Sequence, residues 1–581
     1  MLNQPITIDE VISAGSTLTQ VAADETGCYW LETIPDEDGR ASIKRWEHGQ
    51  IVDLTPSRNV RTRINSYGGG AYAVNNGRLA FVDDETNAVW IREPNGSTRQ
   101  LTSDNGFYGG LFLSAHYLYA VRESNEKSAL VRITLANASC QVLASGADFY
   151  AHICANEKHV AWIAWNQPAM PWDSTSLFID GQLVDGDPSA GLNGVSIAYP
   201  LWQSDGSLVY LSDSSGFYNL VRYNGDRQPL HEDSHDFAIC PWLATNSAHA
   251  ELNGGHLVAW RREDGWHSLG VLADGAANEL AVFAEVDSLA SANGVGYGVV
   301  LRADAGPAVV RVTDKVEVIY EISTTDHLLK TVVVPESFTF TGSQGKVQAW
   351  VYLPDTDQSS PPNALVMVHG GPTLFSHCGL DWRKQYWVSR GIAVVDVNYS
   401  GSGGFGRDYR NRLRRNWAIS DVADVQACVK ALRAANKINK AAIYGSSAGG
   451  LTVYWSLIKG GFIGGIARYG VADITKLVGG PKFEAKYFDS LVGVWPKERA
   501  RYEERSPINH AHEISAPLLM LQGSADPIVP LAQSQAMAKA LADSGIAHKL
   551  MVFDGEGHGF RSPEANRRAL QAQSDFLEKL F

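Results

Sequence analysis

The segment of residues 445–450, Gly-Ser-Ser-Ala-Gly-Gly, is the feature that most restricts how this chain can fold. It follows the apolar run 441–444 and precedes the helix-like segment 451–458. A strand, a G-x-S-x-G pentapeptide and a helix in this order predict a sharp turn that holds the central serine at the end of the strand. The glycines permit such a turn because they lack a Cβ atom. Ser447 is therefore the candidate nucleophile, and the adjacent Ser446 is not expected to take part in the reaction.

A serine hydroxyl needs a base, and the chain supplies a carboxylate and a histidine downstream of Ser447. Asp526 follows the buried-strand pattern 516–523, and His558 lies between glycines in the loop after the strand pattern 548–553. The order Ser, Asp, His is that of the α/β-hydrolase fold. Both partners follow predicted strands, whose carboxyl ends form the active-site edge of α/β sheets. We expect His558 to act as the base and Asp526 to orient it.

Each of these residues also has an ordinary structural interpretation. The pentapeptide alone occurs by chance in glycine-rich chains. Asp526 suits a turn or a helix N-cap, and His558 suits a surface loop. Asp554 is a rival carboxylate, although it lies only four residues before His558. The correct order of all three residues, each after a predicted strand, favours the catalytic interpretation.

A further motif, His-Gly-Gly-Pro at residues 369–372, directly follows the strand pattern 364–368. Acyl transfer passes through an oxyanion that backbone N–H groups stabilise. In α/β-hydrolases one donor follows the nucleophile and the other comes from an HGG-type loop. We therefore predict Ala448 and Gly371 as the two donors, and we expect His369 to be structural. The alternative for this loop is a simple turn.

Composition excludes several classes of function. The chain of 581 residues has a net charge of −14, which argues against nucleic acid and anionic membrane surfaces as partners. No run is apolar enough to span a membrane, and residues 1–5 lack the pattern of a signal peptide. Six scattered cysteines without zinc spacing indicate free thiols in a reducing compartment, so a cytoplasmic location is expected. No HExxH motif or paired histidine cluster occurs, and neither a metal nor a cofactor is expected.

The character of the chain changes near residue 320. Before that point, short apolar strand cores recur at roughly the 40- to 50-residue period of a four-stranded propeller blade. The seven cores are residues 29–31, 80–82, 118–120, 161–163, 209–211, 258–260 and 298–300. We predict a seven-bladed β-propeller over residues 21–322, preceded by an extension, residues 1–20, that can pack on the following domain. A β-sandwich or two small β domains are the alternatives.

Strands and helices alternate over residues 323–581, which predicts a doubly wound α/β sheet. The predicted strands are residues 347–353, 364–368, 392–397, 441–444, 465–469, 518–521 and 549–553. Residues 417–435 are predicted as a crossover helix, with Asp421, Asp424 and Arg433 on its solvated face.

Together these motifs make the chain similar to the prolyl oligopeptidase family of serine peptidases, and above all to its acylaminoacyl peptidase and dipeptidyl or aminopeptidase-like branch. The resemblance covers nearly the whole chain. Beyond the loops of the three catalytic candidates, the matching segments are residues 59–63, 67–72, 170–173, 369–372, 398–407 and 482–488. Ser400 is a departure, because relatives commonly carry arginine in an Asn-Tyr-Arg-Gly motif. A substrate contact by the side chain at that position is therefore in doubt.

The resemblance implies a propeller in front of an α/β-hydrolase domain, and a mechanism. Ser447 would attack a peptide or amide carbonyl, His558 would pass the proton to the leaving amine, and water would hydrolyse the acyl-enzyme. The propeller would cover the active site, so short peptides or acyl-peptides are the expected substrates. An insertion between strands offers residues for a substrate pocket, with ordinary core as the alternative: Phe488, Val492 and Trp495.

Several alternatives stay open from the sequence. An esterase or small-amide hydrolase could use the same triad. A catalytically inactive binding propeller is a third possibility, against which the intact triad argues. An exopeptidase would need carboxylates for a free N-terminus, and Asp173 and Asp205 are candidates in the propeller. The resemblance leaves the oligomeric state open, a homo-oligomer included.

Overall fold

The computed structural model describes residues 5–244, 248–355 and 360–581. Residues 1–4, which belong to the predicted N-terminal extension, lie outside the described residues. Within the described ranges the strands form seven four-stranded sheets and one eight-stranded sheet.

The seven small sheets are the blades of a propeller, and each consists of four consecutive antiparallel strands. The first four blades are β1 Thr17–Asp24, β2 Gly27–Ile34, β3 Arg40–Glu47 and β4 Gln50–Asp53; β5 Tyr72–Asn75, β6 Arg78–Val82, β7 Val89–Arg92 and β8 Thr98–Gln100; β9 Phe107–Leu113, β10 Tyr117–Ser124, β11 Lys127–Thr134 and β12 Cys140–Ser145; β13 Phe149–Ala155, β14 Val160–Trp165, β15 Ser176–Ile179 and β16 Gln182–Asp185. The last three are β17 Ile197–Trp202, β18 Leu208–Ser212, β19 Asn219–Tyr223 and β20 Arg227–Pro229; β21 His249–Leu252, β22 Gly255–Arg261, β23 His267–Ala273 and β24 Ala276–Phe283; β25 Glu285–Ala292, β26 Val295–Leu301, β27 Ala308–Val312 and β28 Val316–Glu321.

Each of the seven predicted strand cores lies in the second strand of a blade, from β2 to β26. This strand is paired on both edges, and both of its faces pack against neighbouring blades, so it reads as a continuous apolar run. β18, for example, is buried along its whole length, whereas the fourth strands β8 and β20 are exposed throughout. The prediction of a seven-bladed propeller is confirmed.

The ring closes between the first and last blades. β1 packs against both β5 and β25. The backbone N–H groups of Gln20 and Val21 donate to the side chains of Asp287 and Ser288, at 3.1 and 2.9 Å. The first blade begins at Thr17, a few residues before the predicted start of the propeller.

The eight-stranded sheet forms the second domain. Its strands are β29 Glu336–Gly342, β30 Gly345–Tyr352, β31 Ala364–Val368, β32 Ala393–Asn398, β33 Ala441–Ser446, β34 Gly465–Arg468, β35 Leu518–Gly523 and β36 His548–Phe553. The spatial order is β29-β30-β32-β31-β33-β34-β35-β36, and the pairs from β32 onward are parallel. The seven predicted strands are all present. β29 alternates polar and apolar residues at the sheet edge, and the sequence pattern does not predict it.

Helices cover both faces of this sheet. They are α1 Ile8–Ser13, α2 Asp326–Leu329, α3 Trp382–Val388, α4 Gly406–Asn411, α5 Ser420–Ala434, α6 Ala448–Lys459, α7 Tyr487–Leu491, α8 Arg499–Arg505, α9 Leu531–Asp543 and α10 Pro563–Leu580. α5, α6 and α9 share one apolar cluster with the sheet, and α1, α3 and α10 share the other. The N-terminal α1 thus packs on the hydrolase domain, where Arg390 Nη1 donates to the carbonyl of Ile6 at 2.7 Å. In the part of the chain that the structure describes, no helix is long and apolar enough to cross a bilayer.

The prediction that Asp421 and Asp424 lie on a solvated face of α5 is wrong. Both side chains are fully buried, whereas Arg433 is exposed. Asp424 accepts hydrogen bonds from the backbone N–H groups of Ser343 and Ser400, at 2.6 and 2.8 Å. These loop amides lack strand partners, and a buried carboxylate satisfies them.

An ionic contact between the domains fixes the propeller over the hydrolase sheet. Asp213, in the turn after β18, is fully buried. It accepts hydrogen bonds from Arg407 Nη1 and Arg410 Nη2, both on α4, at 2.7 Å each. A second interdomain pair joins Arg414 Nη2 to Asp173 at 2.8 Å.

We expect Asp213→Ala to lower the free energy of unfolding by about 3–5 kcal/mol, because it leaves buried guanidinium groups without their counter-charge. Thermal denaturation followed by circular dichroism measures the change. The matched control is Asp205→Ala, which removes an exposed carboxylate from the same blade. Equal melting curves for the two variants would contradict a structural role for the Asp213 ion pairs.

Candidate active site

Ser447 lies at the turn between β33 and α6, in a backbone conformation that side chains rarely adopt. Its φ is 56° and its ψ is −120°. A Cβ atom at Gly445 would lie 2.3 Å from the carbonyl oxygen of Gly449, and one at Gly449 would lie 2.4 Å from that of Val368. Both glycines of the pentapeptide are therefore required by close backbone contacts. The strained turn holds the serine at the carboxyl edge of the sheet.

Asp526 and His558 meet in a hydrogen bond. Asp526 Oδ2 accepts from His558 Nδ1 at 2.8 Å, and its side chain is completely buried. The other oxygen, Oδ1, accepts from the backbone N–H groups of Ile528 and Val529, at 2.9 and 3.0 Å. Because the carboxylate accepts the proton of Nδ1, the neutral imidazole carries its lone pair on Nε2. This is the tautomer that a general base requires.

The rival carboxylate has a different partner. Asp554 is exposed, and its Oδ1 accepts from Ser524 Oγ at 2.9 Å. Among the residues that the structure describes, no hydrogen bond joins the Asp554 carboxylate to the His558 imidazole. The structure thus brings Asp526, and not Asp554, to the histidine.

Ser447 and His558 line one cavity of about 580 Å³ between the propeller and the sheet. Over the residues described, no hydrogen bond joins the Ser447 hydroxyl to the imidazole, and free enzymes commonly show loose geometry at this contact. The His558 ring packs on Tyr469 with 4.6 Å between ring centroids. The ring is 18% exposed, so it faces the cavity while its Asp526 partner is shielded from water.

The loop of residues 369–372 lies beside the serine. Gly370 and Gly371 line the same cavity, and a Cβ atom at Gly370 would lie 3.5 Å from Ser447 Cβ. Gly371 has a φ of +111°, which favours glycine. Ala448 is the first residue of α6, where backbone N–H groups lack helical partners. The two predicted donors therefore belong to segments that adjoin the serine, and their role remains a prediction.

The side chain of His369 stabilises this loop. Its Nε2 lies 2.7 Å from Ser402 Oγ, and its ring stacks on Tyr399 with 4.2 Å between centroids. Burial lowers the pKa of His369 to about 4. The Tyr399 hydroxyl donates to the carbonyl groups of His369 and Pro372, at 3.1 Å each. A neutral, fully engaged histidine has a structural role here, as expected.

The three residues predicted for a substrate pocket are not among those that line the cavity. Phe488 stacks on Trp417 at 5.7 Å in a buried cluster, and Val492 is fully buried. Trp495 packs edge-on against Tyr502. The ordinary-core alternative describes these positions, because Phe488 and Val492 belong to an apolar core cluster and the half-buried Trp495 packs against it.

The carboxylates considered for a free N-terminus also lie elsewhere. Asp173 is buried in its ion pair with Arg414. Asp205 is exposed on the propeller, where it accepts from Ser207 Oγ at 2.6 Å. Ser400 is completely buried, so its side chain does not reach the cavity.

Two residues that line the cavity are not among the site residues predicted from the sequence. Tyr67 of the propeller and Glu484 of the hydrolase domain line the wall next to Ser447 and His558. Both belong to segments that carry the family resemblance, residues 67–72 and 482–488. That resemblance is the only sequence feature that singles them out, since neither residue stands in a catalytic motif.

A strained serine after a strand, an aspartate–histidine pair at the same sheet edge and a covering propeller define the class of a serine hydrolase with an α/β-hydrolase domain. The model of the prolyl oligopeptidase family matches residues 378–581. A puromycin-hydrolysing peptidase of Mycobacterium tuberculosis superimposes with a TM-score of 0.92 at 30% identity, covering 99% of this chain and 96% of that one. The chain belongs to the prolyl oligopeptidase family of serine peptidases.

Other similar proteins agree with this assignment. The structure of a puromycin hydrolase superimposes with a TM-score of 0.90 at 29% identity, covering 98% of this chain and 96% of that one. The dipeptidyl aminopeptidase BIII of Pseudoxanthomonas mexicana is 32% identical over 235 residues. That alignment covers 38% of this chain and only 34% of the relative. The curated relatives are thus matched over about a third of their length.

We expect Asp526→Asn to reduce kcat/KM by about 10³- to 10⁴-fold, because the amide favours the wrong tautomer of His558. Hydrolysis of a chromogenic anilide or ester measures the loss. Asp554→Asn is the matched control, four residues from the histidine, and should retain nearly full activity. Comparable losses in both variants would contradict the assignment of Asp526.

Proposed function

We propose that this protein is a serine peptidase that hydrolyses short peptides, of the aminopeptidase, dipeptidyl or acylaminoacyl peptidase type. The observation that carries the proposal is the hydrogen bond between Asp526 and His558. His558 and Ser447 both line a cavity under the propeller. Similar proteins include a dipeptidyl aminopeptidase, an acylamino-acid-releasing enzyme and a puromycin-hydrolysing peptidase, which supports the proposal.

In the proposed reaction, Ser447 Oγ attacks the carbonyl carbon of the scissile bond while His558 Nε2 takes its proton. Asp526 stabilises the imidazolium that forms. The imidazolium then protonates the leaving amine, and the acyl group stays on Ser447. A water molecule, deprotonated by His558, releases the acid and regenerates the serine.

The negative charge of the tetrahedral intermediate would be held by the N–H groups of Ala448 and Gly371. Such donors typically contribute about 3–4 kcal/mol each to transition-state stabilisation. The loop that carries Gly371 is fixed by Tyr399, so the donor is preorganised before the substrate arrives.

The covering propeller supports peptides of limited length as substrates. The cavity volume of about 580 Å³ is in the range of small-molecule sites and excludes a folded domain. A solved structure of a puromycin hydrolase mutant in complex with PGG is similar to this chain over its full length, with a TM-score of 0.91. An esterase or small-amide hydrolase with the same triad is the second candidate.

We also propose a cytoplasmic location. Five of the six cysteines are buried free thiols, and Cys140 is an exposed one. Free thiols persist in reducing compartments.

We expect Ser447→Ala to reduce turnover about 10⁶-fold while leaving the fold intact, because it removes the attacking oxygen and only one methyl-sized side chain remains. Peptidyl anilides measure turnover, and circular dichroism checks the fold. Ser446→Ala, the adjacent serine, is the control and should stay active and labelled by a fluorophosphonate probe. Substantial residual activity in pure Ser447→Ala protein would rule out this nucleophile. Cleavage of esters without any cleavage of anilides would favour the second candidate.

A further inference from the structure

Glu484 is a buried carboxylate in the wall of the active-site cavity. Its residue is 9% exposed, and it lines the cavity together with Ser447 and His558. It precedes α7, which lies on the hydrolase side of the domain boundary. The proposed triad and oxyanion donors give it no role.

The carboxylate of Glu484 has no resident cation of its own. Over the described residues, no lysine or arginine forms an ion pair with it, and the one basic side chain that interacts with it is the His558 imidazole. Burial raises the pKa of Glu484, while a hydrogen bond from Tyr67 and the charge of His558 oppose that effect. A carboxylate kept out of water without a counter-ion is a destabilising arrangement that a bound cation would relieve.

Tyr67 is held in place against Glu484 from the propeller side. Its ring packs edge-on against Trp242 and Phe483, with centroids 5.4 and 5.7 Å apart. Trp242 Nε1 in turn donates to the carbonyl of Thr373 at 3.1 Å. The pair of Tyr67 and Glu484 is therefore a rigid polar feature made by both domains.

The other carboxylates of the cavity wall are already engaged by the protein. Asp236 accepts from the N–H groups of Tyr218 and Gly406, at 2.9 and 2.7 Å. Asp287 accepts from the N–H of Gln20 at the closure of the propeller ring. Glu484 is the one of the three whose charge interacts with His558.

We propose that Glu484, aided by Tyr67, binds the free α-ammonium group of the substrate. The substrates are then short peptides and aminoacyl amides with an unblocked N-terminus, cleaved within one or two residues of that amine. An ammonium group forms a charge-assisted hydrogen bond with a carboxylate, which an acetylated amine cannot do. This inference rests on the proposed peptidase function and narrows its substrate class to free amines.

The test compares alanyl and dipeptidyl p-nitroanilides with their N-acetyl counterparts. The wild type should prefer the free amines, and Glu484→Gln should lower kcat/KM for them by about 100-fold, mainly through KM. The acetylated substrates should change by less than about threefold. Glu484→Asp should restore part of the preference, and Tyr67→Phe should lose a smaller part than Glu484→Gln.

Asp205→Asn is the matched control, since it removes an exposed carboxylate outside the cavity and should leave the preference unaltered. A wild-type preference for acetylated substrates would overturn the inference and leave the proposed peptidase in place. Equal losses for both substrates in Glu484→Gln would also overturn it. If Asp287→Asn, and not Glu484→Gln, abolished the preference, the amine would bind at Asp287. That result would also overturn the inference.

A binding measurement separates this inference from the peptidase function itself. Titration calorimetry of alanine amide and its N-acetyl form uses the Ser447→Ala protein with and without Glu484→Gln. The free amine should bind about 10- to 100-fold more weakly to the double variant. Unchanged affinity would refute the role of Glu484. If the wild type cleaves no anilide, the peptidase proposal fails, while this titration still decides the role of Glu484.

Discussion

The buried carboxylate of Asp213 is the contact on which the rest of the molecule depends. Three groups donate to it: two arginines on α4 and the backbone N–H of Ser196. A charge this deep is tolerated only when its hydrogen-bonding capacity is filled, so the contact admits one relative position of the domains. α4 closely follows the segment whose Tyr399 and Ser402 contact the loop of residues 369–372. The helix that binds the propeller, α4, is therefore adjacent in sequence to the residues that position the loop beside Ser447.

Local features of the chain were enough to predict the fold, the contact between Asp526 and His558 and the position of Ser447 in the same cavity. The second strand of every blade has an apolar, buried centre because neighbouring strands and blades cover it, and this repeats in the sequence. Ser447, Asp526 and His558 follow strands of a parallel sheet, and the carboxyl ends of such strands meet at one edge. Glycines mark the turn at Ser447 because backbone atoms come within 2.4 Å of where a Cβ would stand.

What the sequence could not predict depends on contacts between distant segments. Asp421 and Asp424 read as solvated because they are charged, and only the packing of loops around α5 reveals that they are buried acceptors. Phe488, Val492 and Trp495 are apolar residues in an insertion between strands, but the fold packs them into or against a core cluster. Tyr67 and Glu484 meet only because the two domains dock, and no periodicity within either segment encodes that encounter.

The closure of the propeller has a consequence for access to its interior. No strand is exchanged between the first and last blades, so this junction is the one that no continuous peptide chain ties together. Three hydrogen bonds cross it within the described residues, from the backbone N–H groups of Gln20 and Val21 and from the Tyr320 hydroxyl to Glu32. Gln20, Asp287 and Ser288 also line the cavity that contains Ser447. The junction between the first and last blades thus borders the cavity. Separation of the first and last blades would open a second path into the cavity for small molecules, while the propeller stayed in place on the catalytic domain.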